Sequence, residues 1–187
     1  MNLELLRQVC VTPGAPGFED KIRDFIIQEV APLVDAVRVD NMGSVIAIVE
    51  GKNTEKTMMA AAHMDEIGFV VTYIEENGFI RVTQVGGINP VASSYSEVVF
   101  ENGVKGVIAI EGGTAFGVSI GTYLSLTQRM VHLANNRWAA KAFDDRVACA
   151  VLVRAAMEAK TVKYDTYYVF TVQEEVGCRG SKAAANA

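Results

Sequence analysis

The chain has 187 residues, a net charge of −5 and no run of basic residues, a balance that argues against nucleic acid as a partner. Half of the residues are hydrophobic, but no apolar stretch approaches the roughly 20 residues of a membrane-spanning helix, so we predict no membrane association. The three cysteines form no CxxC pair and the N-terminus does not resemble a secretion signal, which together predict a reduced, cytoplasmic protein.

Taken in chain order, the pattern predicts an α/β arrangement. Apolar residues at helical spacing predict helices over Asn2–Val9 and Phe18–Val30. Apolar runs typical of strands cover Val37–Val39, Ser44–Glu50, Thr57–Ala62 and Tyr167–Val172. The segment Arg146–Ala159 is apolar on nearly all sides and predicts a buried helix.

Residues 67–126 differ from the rest of the chain, because short β-type runs and frequent glycines replace the helical spacing. Asn-Gly pairs at 77–78 and 102–103 predict hairpins with type I′ turns, in which both central residues have positive φ. We therefore predict a small β module over 67–126, inserted into an α/β domain made of residues 1–66 and 127–187.

Three short clusters carry the residues suited to chemistry: His63-Met64-Asp65, Asp144-Asp145 and Glu174-Glu175. The first and third clusters each follow an apolar run that predicts a strand, so each lies at the carboxyl end of a strand. Ligands of open α/β sheets bind outside the carboxyl ends of the strands. One histidine and several carboxylates at that edge suit a hard or borderline divalent cation, Zn²⁺ above all.

Each cluster also has a purely structural interpretation. Residues two apart at a strand end project to the same side, so Asp65 can orient the His63 ring for metal binding. The alternative is a structural histidine with a surface ion pair. Asp144 can bridge two metal ions while Asp145 caps the following helix, or both can serve only as helix-start charges.

Glu174 and Glu175 are adjacent carboxylates after a wholly apolar strand, which is electrostatically unfavourable unless a cation offsets them. In the functional interpretation, Glu175 ligates a metal and Glu174 is free to act as a general base. In the alternative, the pair is a solvated strand-to-loop end.

The sequence resembles metallopeptidase family forty-two, the glutamyl and tetrahedral aminopeptidases, some members of which carry the name cellulase M. The resemblance extends over most of the chain and is strongest in three ordered motifs. The matching segments are Ala62–Phe69, residues 135–138 with 141–146, and Val172–Gly177, with Gly17–Glu19 and Asp40–Gly43 nearer the N-terminus.

This resemblance implies a dinuclear zinc or cobalt aminopeptidase that uses water activated by two metal ions. It implies that His63 binds one metal, that Asp144 bridges both and that Glu175 binds the other. Glu174 would be the catalytic base, and Asp65 would orient His63.

The resemblance further implies an α/β fold: a mixed-sheet, phosphorylase/hydrolase-like metallopeptidase domain with an inserted β-barrel-like module. That module would be a dimerisation domain, and dimers would assemble into a hollow homo-oligomeric dodecamer. The substrates would be peptides with a free N-terminus. A cis peptide bond is expected at Asp144-Asp145.

The chain departs from the family pattern in three places. Two further ligands, an aspartate and a histidine, lie well beyond the Glu-Glu motif in the family, whereas this sequence ends at Ala187. His132 precedes the bridging motif and does not align with the late histidine. The stretch Ile108–Ile120 is shorter than its counterpart, and Thr122 stands where an aspartate is common. These departures indicate either an incomplete sequence or a naturally degenerate protein, and we favour the first. We therefore expect these 187 residues alone to be weakly active or inactive.

Three other functions remain open from the sequence. A glycosidase would use Glu174 and Asp65 as its carboxylate pair and would need no metal. A non-catalytic assembly module would keep only the oligomerising β region, and a related dinuclear deacylase would differ in substrate. Among the remaining residues, we expect Cys178 to be a small buried hydrophobe, and Met58, Met59 and Met64 to fill the core.

Overall fold

The computed structural model describes residues 2–109, 113–114 and 119–186. Its helices are α1 (Leu3–Val11), α2 (Asp20–Val30), a 3₁₀ turn (Ala31–Leu33), α3 (Pro90–Ser93), α4 (Phe143–Glu158) and α5 (Arg179–Ala184). Its strands are β1 (Ala36–Val39), β2 (Val45–Val49), β3 (Asn53–His63), β4 (Gly68–Ile74), β5 (Phe79–Val85), β6 (Glu97–Phe100), β7 (Lys105–Val107), β8 (Gly113–Thr114), β9 (Tyr123–Leu126), β10 (Met130–Leu133), β11 (Arg137–Ala140) and β12 (Tyr164–Thr171). Helix α1 begins where the Asn2 side chain accepts the Glu4 backbone N–H at 3.0 Å, as N-cap residues do.

A four-stranded mixed sheet in the order β1-β2-β12-β3 organises the α/β part. Strands β1, β2 and β12 are antiparallel neighbours, whereas β12 and β3 run parallel. The register pairs Thr171 with His63, so the carboxyl ends of β12 and β3 meet at one edge of the sheet. The sequence prediction of a mixed α/β fold is confirmed.

The two faces of this sheet are covered unequally. Side chains of β2 that include Val45 and Ala47 form one apolar core with residues of β3, β12, α1, α2 and α4. Alternate residues, among them Ile46 and Val169, point to the other face, where Ala184 of α5 packs against them in the part of the chain that the structure describes. Period-2 alternation thus supplies apolar side chains to both faces, as buried strands require.

A six-stranded antiparallel sheet in the order β7-β6-β9-β4-β5-β8 forms the middle of the chain. Its own core includes Phe69, Val71, Val98, Phe100 and Leu124. These strands lie within the predicted β module; its exact limits and its barrel-like closure stay predictions. Part of the predicted shortened stretch 108–120 lies outside the described residues.

The hairpins exist where the Asn-Gly pairs predicted them, but the turn type was wrong. Gly78 and Gly103 have φ of +88° and +85°, whereas Asn77 and Asn102 are not among the residues with positive φ. The N–H of Gly78 bonds to the carbonyl of Glu75 at 2.9 Å. A three-residue loop with a single left-handed glycine therefore replaces the two-residue type I′ turn.

Two burial predictions were also wrong. Met58 and Met59 are 58% and 49% exposed, because β3 is the edge strand and has no neighbour beyond it in the described ranges; Met64 is buried. Helix α4 is not buried all round, since Val151 is 50% exposed while Cys149 and its face pack on the sheet. Apolar composition does not distinguish a covered face from an open one.

Several elements were not anticipated from the sequence: α3, α5 and the hairpin β10–β11, which turns through Asn135 and Asn136 with φ of +59° and +54°. On that hairpin, the rings of His132 and Trp138 stack with centroids 4.4 Å apart. None of the helices in the described ranges has the length and apolar character to cross a bilayer.

Candidate active site

The carboxyl ends of β3 and β12 deliver the first and third clusters to one place. His63 is the last residue of β3, and the Glu174-Glu175 pair follows β12 after a short turn at Gln173, whose φ is +54°. Parallel pairing of the two strands brings the clusters together, although 111 positions separate His63 from Glu174 in the sequence. This is the edge at which the sequence placed the site.

The His63 ring is held at both nitrogens. Nδ1 lies 3.1 Å from the carbonyl oxygen of Asp65 and 3.5 Å from its carboxylate. Nε2 lies 3.1 Å from Oδ1 of Asp144 and 3.7 Å from Oε2 of Glu174. The nearer contact of Nδ1 is the carbonyl, so Asp65 orients the ring chiefly through its backbone and leaves Nε2 directed at the two carboxylates.

Negative charge around His63 determines its protonation. Burial alone would lower the pKa of the imidazole, but the hydrogen bond and charge of Asp65, the hydrogen bond of Asp144 and the charge of Glu174 outweigh it and raise the pKa to about 9. The carboxylates of Asp144 and Glu174 face Nε2, so negative charge is concentrated on this side of the ring.

Asp65 is fully buried and uses both carboxylate oxygens to fix the third cluster. Oδ1 and Oδ2 accept the backbone N–H groups of Glu174 and Glu175, each at 3.0 Å. A further buried carboxylate, Glu19, accepts the N–H of Gln173 at 3.2 Å, and burial raises its pKa. In the sequence, Glu19 appeared only as part of the matching segment Gly17–Glu19. The sequence did not predict that Glu19 would bind the backbone beside the glutamate pair.

The Asp144-Asp145 peptide bond is cis, as the family resemblance implied. Both residues have non-helical backbone angles at the start of α4. The Asp145 carboxyl interacts with the Ala148 backbone N–H, three residues further on, as a helix cap does, and burial raises its pKa. The Asp144 side chain is instead 89% exposed, and its Oδ1 lies 3.1 Å from Nε2 of His63.

Glu175 lies close to Gly86, which follows β5. A Cβ added to Gly86 would lie 3.2 Å from Cβ of Glu175 and 3.3 Å from its Oε2. Burial raises the pKa of Glu175, and the charge of His63 lowers it in turn. Of the two adjacent glutamates, Glu174 is the one with a direct contact to His63, at 3.7 Å.

Cys178 is exposed, so its prediction as a buried hydrophobe was wrong. Its Sγ donates a hydrogen bond to Oε1 of Glu174 at 3.2 Å, and this bond raises the pKa of the thiol. Cys178 adopts left-handed φ of +54° just before α5, a position the apolar pattern does not reveal.

The candidate ligands are of the types that bind Zn²⁺, but too few of them lie close together. An imidazole nitrogen and two carboxylates face one another here, and these are typical Zn²⁺ ligands. Within the part of the chain that the structure describes, however, no three side chains of His, Cys, Asp or Glu group closely enough to hold a metal ion. Metal dependence therefore remains a proposal.

A family model described as M42 glutamyl aminopeptidase matches residues 43–115 and 111–187, most of the chain. The chain belongs to the M42 glutamyl aminopeptidase family. The match includes all three clusters, and it confirms the family that the sequence motifs resembled.

Individual proteins are also similar to most of this chain. A putative aminopeptidase of Acetivibrio thermocellus is 37% identical over 97% of this chain and 61% of its own length. A Thermotoga maritima structure titled as an endoglucanase is 38% identical, with a TM-score of 0.83 over 90% of this chain and 58% of that one. The Pyrococcus horikoshii TET1 peptidase, described as assembling into a tetrahedron or a large octahedral shell, has 28% identity and a TM-score of 0.88 over 98% of this chain and 64% of its own. The chain thus spans about three fifths of the length of these relatives.

Proposed function

We propose that the natural protein is a metal-dependent aminopeptidase that removes N-terminal residues from peptides. The observation that carries this proposal is the convergence of His63, Asp144 and Glu174 at the carboxyl edge of the sheet, with Nε2 3.1 and 3.7 Å from the two carboxylates. Membership of a family described as aminopeptidases supports the reaction class.

In this proposal His63, Asp144 and Glu175 are metal ligands, with Asp144 shared between two divalent ions, Zn²⁺ or Co²⁺. A divalent metal supplies Lewis acidity, which polarises the scissile carbonyl and makes water acidic enough to attack at neutral pH. The charge of His63 acts on the Glu175 carboxyl, which supports placing both residues in one cation site.

Glu174 is the proposed general base, which takes a proton from water and delivers it to the leaving amine. Its side chain is 38% exposed, so both water and substrate can reach the carboxylate. Asp65 is the proposed positioning residue, because it holds the His63 ring and the Glu174 and Glu175 backbone at once.

The protein is also proposed to form homo-oligomers through the β module. Its surface carries large exposed apolar side chains, among them Tyr95 at 84%, Val91 at 72% and Ile120 at 64%. Exposed apolar side chains of this size are groups that a subunit interface can bury. The shells described for the P. horikoshii peptidase support this proposal.

The decisive experiment is hydrolysis of aminoacyl p-nitroanilides by the natural full-length polypeptide, with elemental analysis of the same sample. We expect about two equivalents of transition metal per chain, loss of activity with a chelator and recovery with Zn²⁺ or Co²⁺. N-acetylated versions of the same substrates are the control, and they should remain uncleaved. Cleavage of both forms at equal rates would contradict an aminopeptidase.

A glycosidase remains the second candidate because one structural relative is titled an endoglucanase. It would use Asp65 and Glu174 as its carboxyl pair, but Asp65 is fully buried and both its oxygens accept backbone N–H groups. Hydrolysis of carboxymethyl cellulose that persists in a chelator would favour it. Absence of both activities and of bound metal would instead favour an assembly module.

A further inference from the structure

Beside the candidate site lies a buried ion pair between two residues of the matching segments, Glu66 and Lys141, to which the sequence analysis gave no role. Oε2 of Glu66 and Nζ of Lys141 are 2.6 Å apart, and their side chains are only 1% and 13% exposed. Oε1 of Glu66 accepts a hydrogen bond from Gln128. Burial lowers the pKa of Lys141, and the charge of Glu66 opposes that effect.

The Lys141 ammonium has an acceptor for each of its three hydrogens. Besides Glu66, it donates to Oγ of Ser125 at 3.2 Å and to the carbonyl oxygen of Ile67. Ser125 belongs to β9 and Gln128 follows it, so the pair also ties the end of the β module to this point. Three hydrogen bonds hold a buried ammonium group in position more firmly than a single hydrogen bond does.

Both members of the ion pair lie close in sequence to residues of the candidate site. Glu66 comes three residues after His63, and Lys141 comes three residues before Asp144. The contacts His63–Asp144 and Glu66–Lys141 therefore join the same two segments, 63–66 and 141–144, at their opposite ends. The first contact is open to solvent on the Asp144 side, whereas the second is enclosed.

We propose that Lys141, through its buried ion pair with Glu66, is the positioning residue that holds Asp144 against His63. An ion pair in such a place adds little stability over apolar side chains of equal volume, so a geometric role accounts for it better. Its meaning for catalysis rests on the proposed function, whereas the geometric claim does not.

The test replaces both charges together, as Lys141→Met with Glu66→Leu, so that no unpaired charge stays buried. The same two kinds of substitution at the exposed pair Lys105–Glu97, Lys105→Met with Glu97→Leu, are the matched control. Circular dichroism verifies folding. Should the Met/Leu variant not fold, Lys141→Gln with Glu66→Gln takes its place.

The readout is the imidazole ¹H–¹⁵N spectrum of the metal-free protein. The chain has two histidines, and His132→Gln assigns the His63 signals. We expect the Met/Leu variant to shift these signals to their positions in Asp144→Ala, while the control pair leaves them unchanged. His63 signals that stay at wild-type positions in the folded variant would overturn the proposal.

Kinetics of the full-length protein separate this inference from the proposed function. If the wild type hydrolyses peptides, the Met/Leu variant should lose at least tenfold in kcat with KM within twofold, and an unchanged kcat would count against the inference. A wild type with neither metal nor activity refutes the proposed function alone, since the imidazole spectrum still decides the geometric claim.

Discussion

His63 and Asp144 are 81 positions apart in the sequence, yet Nε2 of the first lies 3.1 Å from Oδ1 of the second. The imidazole is almost wholly enclosed, whereas the Asp144 side chain is 89% exposed. The nitrogen is thus enclosed, whereas the carboxylate is exposed at the start of α4. This arrangement suits a cation that enters from solvent on the Asp144 side and binds to the His63 nitrogen, which is already in position.

Replacement of His63 tests that relationship directly. His63→Gln removes the only imidazole that faces the carboxylates, so we expect loss of bound metal and of peptidase activity by at least 100-fold. The chain's other histidine gives a matched control: His132→Gln alters only an exposed ring stacked on Trp138 and should leave both properties within twofold. Metal content measured by mass spectrometry and p-nitroanilide hydrolysis are the measurements.

Glu174→Gln removes the proposed base without removing a hydrogen-bonding side chain. General acid–base groups contribute about 100- to 10,000-fold to rate, so kcat should fall by that factor while KM and metal content stay nearly constant. Glu76→Gln, at an exposed turn of the β module, is the control. A kcat within threefold of wild type would exclude Glu174 as the base.

The Cys178 thiol offers a pH-dependent test of the same carboxylate. The hydrogen bond and charge of Glu174 raise the thiol pKa, because they disfavour the thiolate. Glu174→Gln should therefore lower that pKa and move the midpoint of the alkylation rate toward lower pH. Cys10 and Cys149 are buried, so iodoacetamide should label Cys178 first in the native protein. An unmoved midpoint would mean that the two side chains do not meet in solution.

Neighbouring glycines at the end of β5 give a matched pair of variants. Gly86 has φ of +87°, and a Cβ there would press on Ile67 and on Glu175, whereas a Cβ on Gly87 meets nothing within 4 Å. Gly86→Ala should displace Glu175 and lower kcat/KM at least tenfold. Gly87→Ala should leave kcat/KM within twofold of the wild-type value. Equal effects of the two substitutions would show that Glu175 does not depend on this contact.

Asp65→Asn tests the buried carboxylate beneath the site. An amide has only one oxygen to accept the N–H groups of Glu174 and Glu175, and its NH₂ group would face a donor. Leaving a buried donor unpaired costs about 1–3 kcal/mol, which urea unfolding would detect. Metal affinity should fall about 10- to 100-fold, as for other groups that orient a ligand. A variant with wild-type stability and affinity would remove Asp65 from the proposal.

Much of this molecule could be predicted because local pattern dictates it. The apolar runs before His63 and before Glu174 predicted strands, and both strands are present. The exposure of Met58 and Met59 could not be predicted, because an edge strand and a central strand have the same composition. Nor could the loop conformation at Gly78 and Gly103, since an Asn-Gly pair fits more than one kind of hairpin.

The sequence by itself determined the family, the α/β class and the three clusters, because motifs and periodicity are properties of short segments. Only the tertiary structure decided which carboxylate faces which nitrogen. It directs Asp144 and Glu174 to His63, turns Glu175 toward Gly86, and joins Glu66 to Lys141. These contacts span tens of residues, and their distances depend on strand register and on how the two sheets pack, neither of which a local pattern encodes.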